Sequence, residues 1–287
     1  LGSIGVVTIN LARIGYLFKT KKTVFKELKR ILRMIDDIFL RKRKLLTYLL
    51  ENNFFPYTKR FLNNFDNHFN TVGIVGMNEF LRNYSGDSLN IASHQGVQFA
   101  LEILDFINKE LYKLQYKSGI LYNFEATPAE MASYKLAIID HNKYKDILQA
   151  GHFSNIYYTN SSQLPVDFTD DPFEMVDLQT KLQNMYSGGS ILHFYISENN
   201  IEPNTIKSFI KNIIFKTEIP SFTISPVFSI CKYHGYINGA KDKCPMCSTK
   251  LDNWSRVMGY YRPISRFNNG KIEEYNNRKY CKCLNNI

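Results

Sequence analysis

The chain has 287 residues, 44% hydrophobic and 14% aromatic, which is ample for one large packed domain or two smaller ones. No apolar run approaches the roughly 20 residues of a membrane-spanning helix, and the start lacks the basic, apolar and small-residue order of a secretory leader. A cytoplasmic protein is therefore expected. The net charge of +10, from 36 Lys and Arg against 26 Asp and Glu, favours anionic partners such as nucleic acid or nucleotide phosphates. The basic residues are dispersed, with one run at Arg41-Lys42-Arg43-Lys44 that reads as the solvated face of a helix.

The residues from Ile4 to Leu11 are β-branched and nearly all apolar, as in a buried strand. A chain that opens inside a core strand predicts that Leu1 is a split or artificial start. Phe25, Leu28, Ile31, Leu32, Ile35, Ile38 and Phe39 recur at helical spacing and predict a helix from Lys22 to Asn52. The stretch from Phe54 to Asn70 reads as a long irregular connection, and Thr71 to Met77 as a short buried strand or turn. Val97 to Leu114 carries a second strong helical pattern. Leu121 to Ala126 is strand-like, and Pro128 is placed to start the helix that follows. Beyond it come a polar loop at Tyr157–Val166, a helix at Phe173–Met185, a strand at Ser190–Ser197 and a third helix at Pro203–Ile214. Alternating strands and helices predict an α/β fold with a mainly parallel sheet.

Composition shifts near Thr217, where a cysteine-rich segment begins. Five cysteines, four of them in the last sixth of the chain, point to metal or redox chemistry rather than a disulfide scaffold. Cys231-x2-His234 and Cys244-Pro245-Met246-Cys247 form two close-spaced pairs, the pattern of a closed, structural tetrahedral zinc site. His234 is the member most open to replacement by a thiol or water. The alternative is a set of free thiols near an unrelated histidine.

Directly after this cluster stands Arg256-Val257-Met258-Gly259-Tyr260-Tyr261-Arg262-Pro263. A glycine Cα–H is the backbone C–H whose loss leaves a planar radical unobstructed by a side chain, so Gly259 is a candidate radical site. Taken alone, a tight turn before an aromatic pair explains the stretch as well. Polar residues at predicted strand or loop ends, Asn10, Glu79, Glu130 and Asn160-Ser161-Ser162-Gln163, stand where α/β folds place ligands. Glu130 is either a general base or an acid in the first turn of a helix, where the macrodipole favours it. His68, His94, His141, His152 and His193 share no spacing and read as surface or satisfied core residues. Cys281-x-Cys283 is either a relay of reducing equivalents or two incidental thiols on a frayed terminus.

Together these segments resemble the large subunit of anaerobic (class III) ribonucleoside-triphosphate reductases, members of the glycyl radical enzyme family. The residues that carry the resemblance run in order along the chain. They are Gly2 to Arg13, Pro56 to Arg60, Asn67-His68-Phe69, Gly73 to Glu79, Glu125 to Glu130, Tyr158 to Val166, the cysteine pairs, the Arg-Val-x-Gly-Tyr loop and Gly270-Lys271…Glu273-Glu274.

The resemblance implies the C-terminal half of a ten-stranded α/β barrel at 1–216, a zinc ribbon at 217–250, and a glycyl radical loop and tail at 251–287. It implies reduction of ribonucleoside triphosphates to deoxyribonucleotides. Gly259 would store the radical and Glu130 would be catalytic. Asn10, Glu130, Asn160 and Ser161 would bind substrate, and Cys231, His234, Cys244 and Cys247 would hold zinc. The implied partners are a radical-SAM activating enzyme that uses S-adenosylmethionine and a 4Fe-4S cluster, an N-terminal half, and a second copy in a homodimer.

The chain departs from the family pattern in three ways. The family's finger-loop cysteine falls before Gly2, outside this chain, so the chain is expected to be inactive alone. The ATP cone and the first half-barrel are likewise outside it. Formate-using members carry Asn where Ser3 stands, which favours a redoxin over formate as reductant. Rival readings are a glycyl radical enzyme for another substrate and a basic zinc-ribbon module that binds nucleic acid.

Overall fold

The computed structural model describes residues 2–152, 154–196 and 201–281. Strand β1 (Gly2–Asn10) runs into a short helix α1 (Leu11–Leu17) and then the 31-residue α2 (Lys21–Glu51). The chain returns through α3 (Pro56–Leu62) to β2 (His68–Val75), which lies parallel to β1. Helices α4 (Met77–Ser85) and α5 (His94–Ser118) lead to β3 (Tyr122–Glu125), parallel to β2 on its other side.

The helices form because their apolar residues fall on one face. In α2, Val24, Leu28, Leu32, Ile35 and Phe39 are spaced by three or four and are fully buried against the sheet. Each such side chain contributes roughly 1.5–3 kcal/mol on burial. The Thr20 side chain accepts from the Thr23 N–H at the start of α2, and Ser93 does the same for Gly96 in α5. Gly119, left-handed at φ 70°, ends α5. Helix α1 packs closely on α4, and a Cβ at Gly15 would lie 2.3 Å from the Phe80 carbonyl oxygen, so only glycine fits there.

The second part comprises α6 (Glu130–Lys143), α7 (Pro172–Gln183), β4 (Leu192–Ile196), α8 (Pro203–Lys216) and β5 (Phe222–Pro226). Strand β5 pairs parallel with β4 past Thr217. A parallel bridge from Glu125 to Gly189 joins the end of β3 to the turn before β4. A four-stranded antiparallel sheet completes the fold in the order β7 (Gly235–Asn238), β6 (Phe228–Cys231), β8 (Asp252–Arg256) and β9 (Tyr261–Pro263), and is followed by α9 (Asn269–Asn276).

The α/β architecture is as expected, but it is mixed rather than mainly parallel, with β1–β5 paired parallel and β6–β9 antiparallel, and no closed barrel is formed by the described residues; they make sheets of three, two and four strands. Three local expectations change. The irregular connection at 54–70 holds α3, with Pro56 at its start, and the first residues of β2. Helix α4 follows β2 directly, after Gly76 turns left-handed at φ 76°. The loop at Tyr157–Val166 is polar in composition yet largely buried, from Ile156 through Ser162. Ser197, the expected end of β4, lies outside the described residues. Among the described residues no helix is long and apolar enough to cross a membrane.

Candidate active site and metal centre

The β6–β7 hairpin sets Cys231 at the end of one strand and His234 in its turn, and the loop before β8 brings Cys244 and Cys247 against them. Their ligand atoms all lie within 4.8 Å of one another. Cys231 Sγ is 3.7 Å from both His234 Nδ1 and Cys247 Sγ, and Cys244 Sγ is 3.5 Å from His234 Nδ1. Zinc–sulfur bonds of ~2.3 Å in a tetrahedron put sulfurs about 3.8 Å apart, so this donor set fits a zinc ion. Among the described residues the buried hydrophobic cluster inside this sheet is Cys231, Ile237, Cys244 and Leu251, too small to hold it by apolar burial alone. Hydrogen bonds from Thr249 bring the Cys247 thiol down to about 6, which favours the thiolate a metal requires.

Strands β8 and β9 are antiparallel, and Gly259 stands in the link between them, closed by Val257 N–H donating to the Tyr260 carbonyl at 3.0 Å. Gly259 is exposed, its backbone is not left-handed, and a Cβ there would meet nothing within 4 Å. Neither packing nor backbone angle demands glycine at this position.

Polar contacts brace the loop on both sides. Arg262 Nη1 donates to Glu130 Oε1 at 2.8 Å, and the Tyr260 hydroxyl donates to Glu130 Oε2 at 3.1 Å. Arg256 Nε donates to Ser225 Oγ at 2.8 Å, and Asn160 Nδ2 lies 3.0 Å from Met258 Sδ. Both carboxylate oxygens of Glu130 are thus engaged, at the first residue of α6. The side chain that the sequence leaves between base and helix start is also the tether of the glycine loop.

Behind the loop lies a buried charge cluster. On α9, Lys271 donates to Glu274, and Arg278, just beyond the helix, donates to it at 3.0 Å; all three are almost fully buried. Burial pushes the Glu274 carboxyl up, but Lys271 and Arg278 together pull it below its ordinary range. Arg278 also covers the Tyr195 ring at 4.0 Å and donates to Ser255 in β8 at 3.1 Å.

A cleft of about 330 Å³ opens beside Gly259, walled by Met258, Asn160, Ser161, Gly188 and His193. Its Asn160–Ser161 wall is held from below. Glu79, fully buried in the first turn of α4, accepts from the Thr159 N–H at 3.0 Å and hydroxyl at 2.7 Å, and burial raises its carboxyl. Asn160, Ser161 and Gly259 therefore meet in one cleft, with Glu130 tied to the same loop.

Asn10 does not line that cleft. Its Oδ1 caps α1 by accepting from Arg13 N–H, and its Nδ2 donates to Asp140 Oδ2 at 2.7 Å, in a buried network with Tyr158. Cys281 lies in the core cluster of Phe194, Phe209 and Val176, not on a frayed end, and Cys283 lies outside the described residues. His193, read from sequence as a surface or satisfied core histidine, meets Thr223 Oγ1 through Nδ1 at 2.8 Å and also lines the cleft. The available signal was its place in a strand whose five residues are all buried, just after Gly188-Gly189.

Fold and site thus define a mixed α/β protein whose antiparallel sheet carries a cluster of three cysteines and one histidine and an exposed glycine loop. Residues 1–280 match the family model described as anaerobic ribonucleoside-triphosphate reductase, and the chain belongs to that family. Over 220 residues it is 24% identical to the anaerobic ribonucleoside-triphosphate reductase of Haemophilus influenzae, covering 72% of this chain and 30% of that protein. The enzyme of the same name from Enterobacteria phage T4 is 27% identical over 137 residues, covering 46% of this chain and 20% of that one.

Among solved structures, one described as an anaerobic ribonucleotide reductase superposes with a TM-score of 0.83 at 24% identity, covering 98% of this chain and 45% of that one. The Thermotoga maritima anaerobic ribonucleotide reductase in complex with dATP and CTP gives 0.80 at 23%, covering 96% and 45%. The chain thus shares the fold of these proteins and spans less than half the length of each.

Proposed function

We propose that this chain is the C-terminal catalytic portion of an enzyme that reduces ribonucleoside triphosphates to 2′-deoxyribonucleoside triphosphates, with Gly259 as its radical store. The observation that carries this reading is a glycine that structure does not require, set at a cleft and braced on both sides. What remains to explain its identity is the chemistry of its Cα–H. A radical-SAM activase, using S-adenosylmethionine and a 4Fe-4S cluster, would take that hydrogen atom. Gly259 would exchange the radical with a cysteine outside this chain, which acts on the ribose. The exposed Cα suits access by such a partner.

Strands β1 to β4 fall within 1–216 and β5 (Phe222–Pro226) lies just beyond it; five parallel strands are the number half of a ten-stranded barrel would hold, so the half-barrel proposed for 1–216 would run on through β5. Residues 217–250 would form the zinc ribbon, with Cys231, His234, Cys244 and Cys247 holding a structural ion. That ion would lend the β6–β8 pairing the rigidity the small core lacks, and so fix the base of the Gly259 loop. In this reading 251–287 is the glycyl radical loop and tail.

Asn160 and Ser161 would contact substrate, and Glu130 would position the loop. Asn10 would contribute at a distance, by orienting α1. An N-terminal half, a second copy in a homodimer, and a redoxin or formate as reductant complete the assembly. The test is anoxic incubation of the intact protein with its activase, a ribonucleoside triphosphate and a reductant, followed by chromatography of the nucleotides. Absence of deoxynucleotide would overturn the reading.

A further inference from the structure

Helix α3 (Pro56–Leu62) buries none of its seven residues. A helix that short does not stand by itself in water, and packing of an apolar face is the usual support. Here the support is polar. Lys59 Nζ donates to the Glu51 carbonyl at 3.1 Å and to Asn53 Oδ1 at 2.9 Å, which ties α3 to the end of α2. The rings face outward: Tyr57 is 79% exposed, Phe61 75%, and Tyr48 in α2 58%.

The same stretch concentrates positive charge. Residues 41–62 hold six Lys and Arg (Arg41, Lys42, Arg43, Lys44, Lys59 and Arg60) against one acid, Glu51. Arg43 turns inward to Asn70 Oδ1 and the Phe65 and His68 carbonyls, whereas the other five are exposed. Elsewhere on the surface Lys21, Arg30, Lys109 and Lys113 each meet a carboxylate. Among the described residues none of these five does. A cluster of cations without counter-charges attracts an anion.

The arrangement of the cluster narrows the anion. Arg41, Lys44 and Tyr48 follow at helical spacing in α2, and Tyr57, Arg60 and Phe61 do so in α3, where Arg60 lies over the Phe61 ring at 5.6 Å. A second copy of the chain would set five cations against five, so like charge disfavours it. A protein interface gathers its apolar residues into a centre and leaves charge at the rim, whereas here rings and cations are interleaved. A single-stranded nucleic acid has the same alternation, one phosphate and one base per nucleotide, and its bases have free faces to stack on such rings.

The cluster stands at the start of β2, where Arg43 holds the His68 carbonyl. The Gly259 cleft lies past the other end of that strand, where Val75 bridges to Asn160. Eight residues of strand separate the two by roughly 25 Å, so a nucleic acid bound at α3 leaves the cleft open.

We propose that the end of α2 together with α3 is a docking surface for single-stranded nucleic acid. Tyr48, Tyr57 and Phe61 stack with bases, and Arg41, Lys44 and Arg60 meet phosphates. This surface is independent of the reductase reading.

The test is fluorescence anisotropy of the intact protein with labelled oligothymidylate and oligouridylate of about 20 nucleotides; the tighter of the two identifies DNA or RNA as the source. Three phosphate contacts give a slope of about −2 in log affinity against log salt, a roughly twentyfold loss between about 50 and about 200 mM. Arg60→Gln should flatten that slope by about 0.7. Tyr57→Ala and Phe61→Ala should each weaken binding by about five- to a hundredfold, and Tyr57→Phe, which keeps the ring, should not. Tyr116→Ala, at a ring 84% exposed on α5, is the control and should bind as wild type does. All of these side chains are exposed, so each variant should melt with wild type. Unchanged affinity in Tyr57→Ala and Phe61→Ala, or a duplex held as tightly as the single strand, reduces the cluster to unspecific charge and overturns the proposal. So does failure of the intact protein to bind either strand at about 50 mM salt; capture of phosphatidylserine–phosphatidylcholine vesicles in its place would make the cluster a membrane-surface contact.

Discussion

Replacing Gly259 by Ala separates a structural glycine from a chemical one. A Cβ there meets nothing within 4 Å and the backbone is not left-handed, so the folded state accepts alanine without strain. Alanine lowers the conformational entropy of the unfolded chain, and at a compatible site this stabilises by about 0.4–1 kcal/mol. For a chain of this size that is a rise of roughly 1–3 °C in melting temperature. The control is Gly15→Ala, where the new methyl would sit 2.3 Å from the Phe80 carbonyl oxygen; overpacking of this kind costs about 1–3 kcal/mol or more. Circular dichroism melting reads both. In parallel, the intact protein is incubated with its activase under strict anoxia and examined by electron paramagnetic resonance. Wild type should show a glycine-centred signal and be cut at residue 259 on exposure to oxygen. Gly259→Ala should show neither while melting no lower than wild type. A radical that survives the substitution, or a loss of stability above about 2 kcal/mol, would refute the reasoning.

Further outcomes are expected. Chelation, or Cys244→Ser, should release zinc measured by a colorimetric dye and expose 228–263 to proteolysis, because that sheet has little apolar core of its own. Glu274→Gln leaves the buried Lys271 and Arg278 charges without their carboxylate and should cost about 3–5 kcal/mol in denaturant unfolding. Glu102→Gln, at the exposed Lys21 pair, should cost no more than about 1 kcal/mol. Burial raises the Glu79 carboxyl above its unfolded value near 4.5, so its protonated form is favoured on folding. The stability of wild type relative to Glu79→Gln should then be greatest below that value and fall as pH rises through the raised one; a difference that grows with pH would contradict this. Finally, Arg262→Met frees Glu130 without altering it chemically. Equal losses of turnover in Arg262→Met and Glu130→Gln identify a tether, whereas loss in Glu130→Gln alone identifies a base.

Periodicity made α2, α5 and α7 legible, because a helix that buries one stripe must repeat it every three or four residues. The cysteine pairs were legible for a related reason: a metal needs its ligands close, and short spacing along the chain already brings two of them together. Less visible were elements set by contacts between distant segments. Helix α3 has no buried residue and hence no apolar stripe to read. The polar run at Tyr157–Ser162 is buried because distant segments satisfy it: Glu79, 80 residues earlier, accepts from the Thr159 backbone and hydroxyl, and the Tyr186 hydroxyl donates to Ser162.

For the site, the sequence by itself determined which chemical groups are present: a glycine between basic and aromatic residues, four soft ligands in two pairs, and several polar residues at strand ends. Tertiary structure decided which of them meet. It drew Asn10 into the α1 cap and the Asp140 network, engaged both oxygens of Glu130 with Arg262 and Tyr260, and set His193 on the cleft wall with Nδ1 against Thr223. A hydrogen bond depends on separations of about 3 Å, here between atoms more than a hundred residues apart in sequence. Such distances exist only once the strands have paired and the helices have packed.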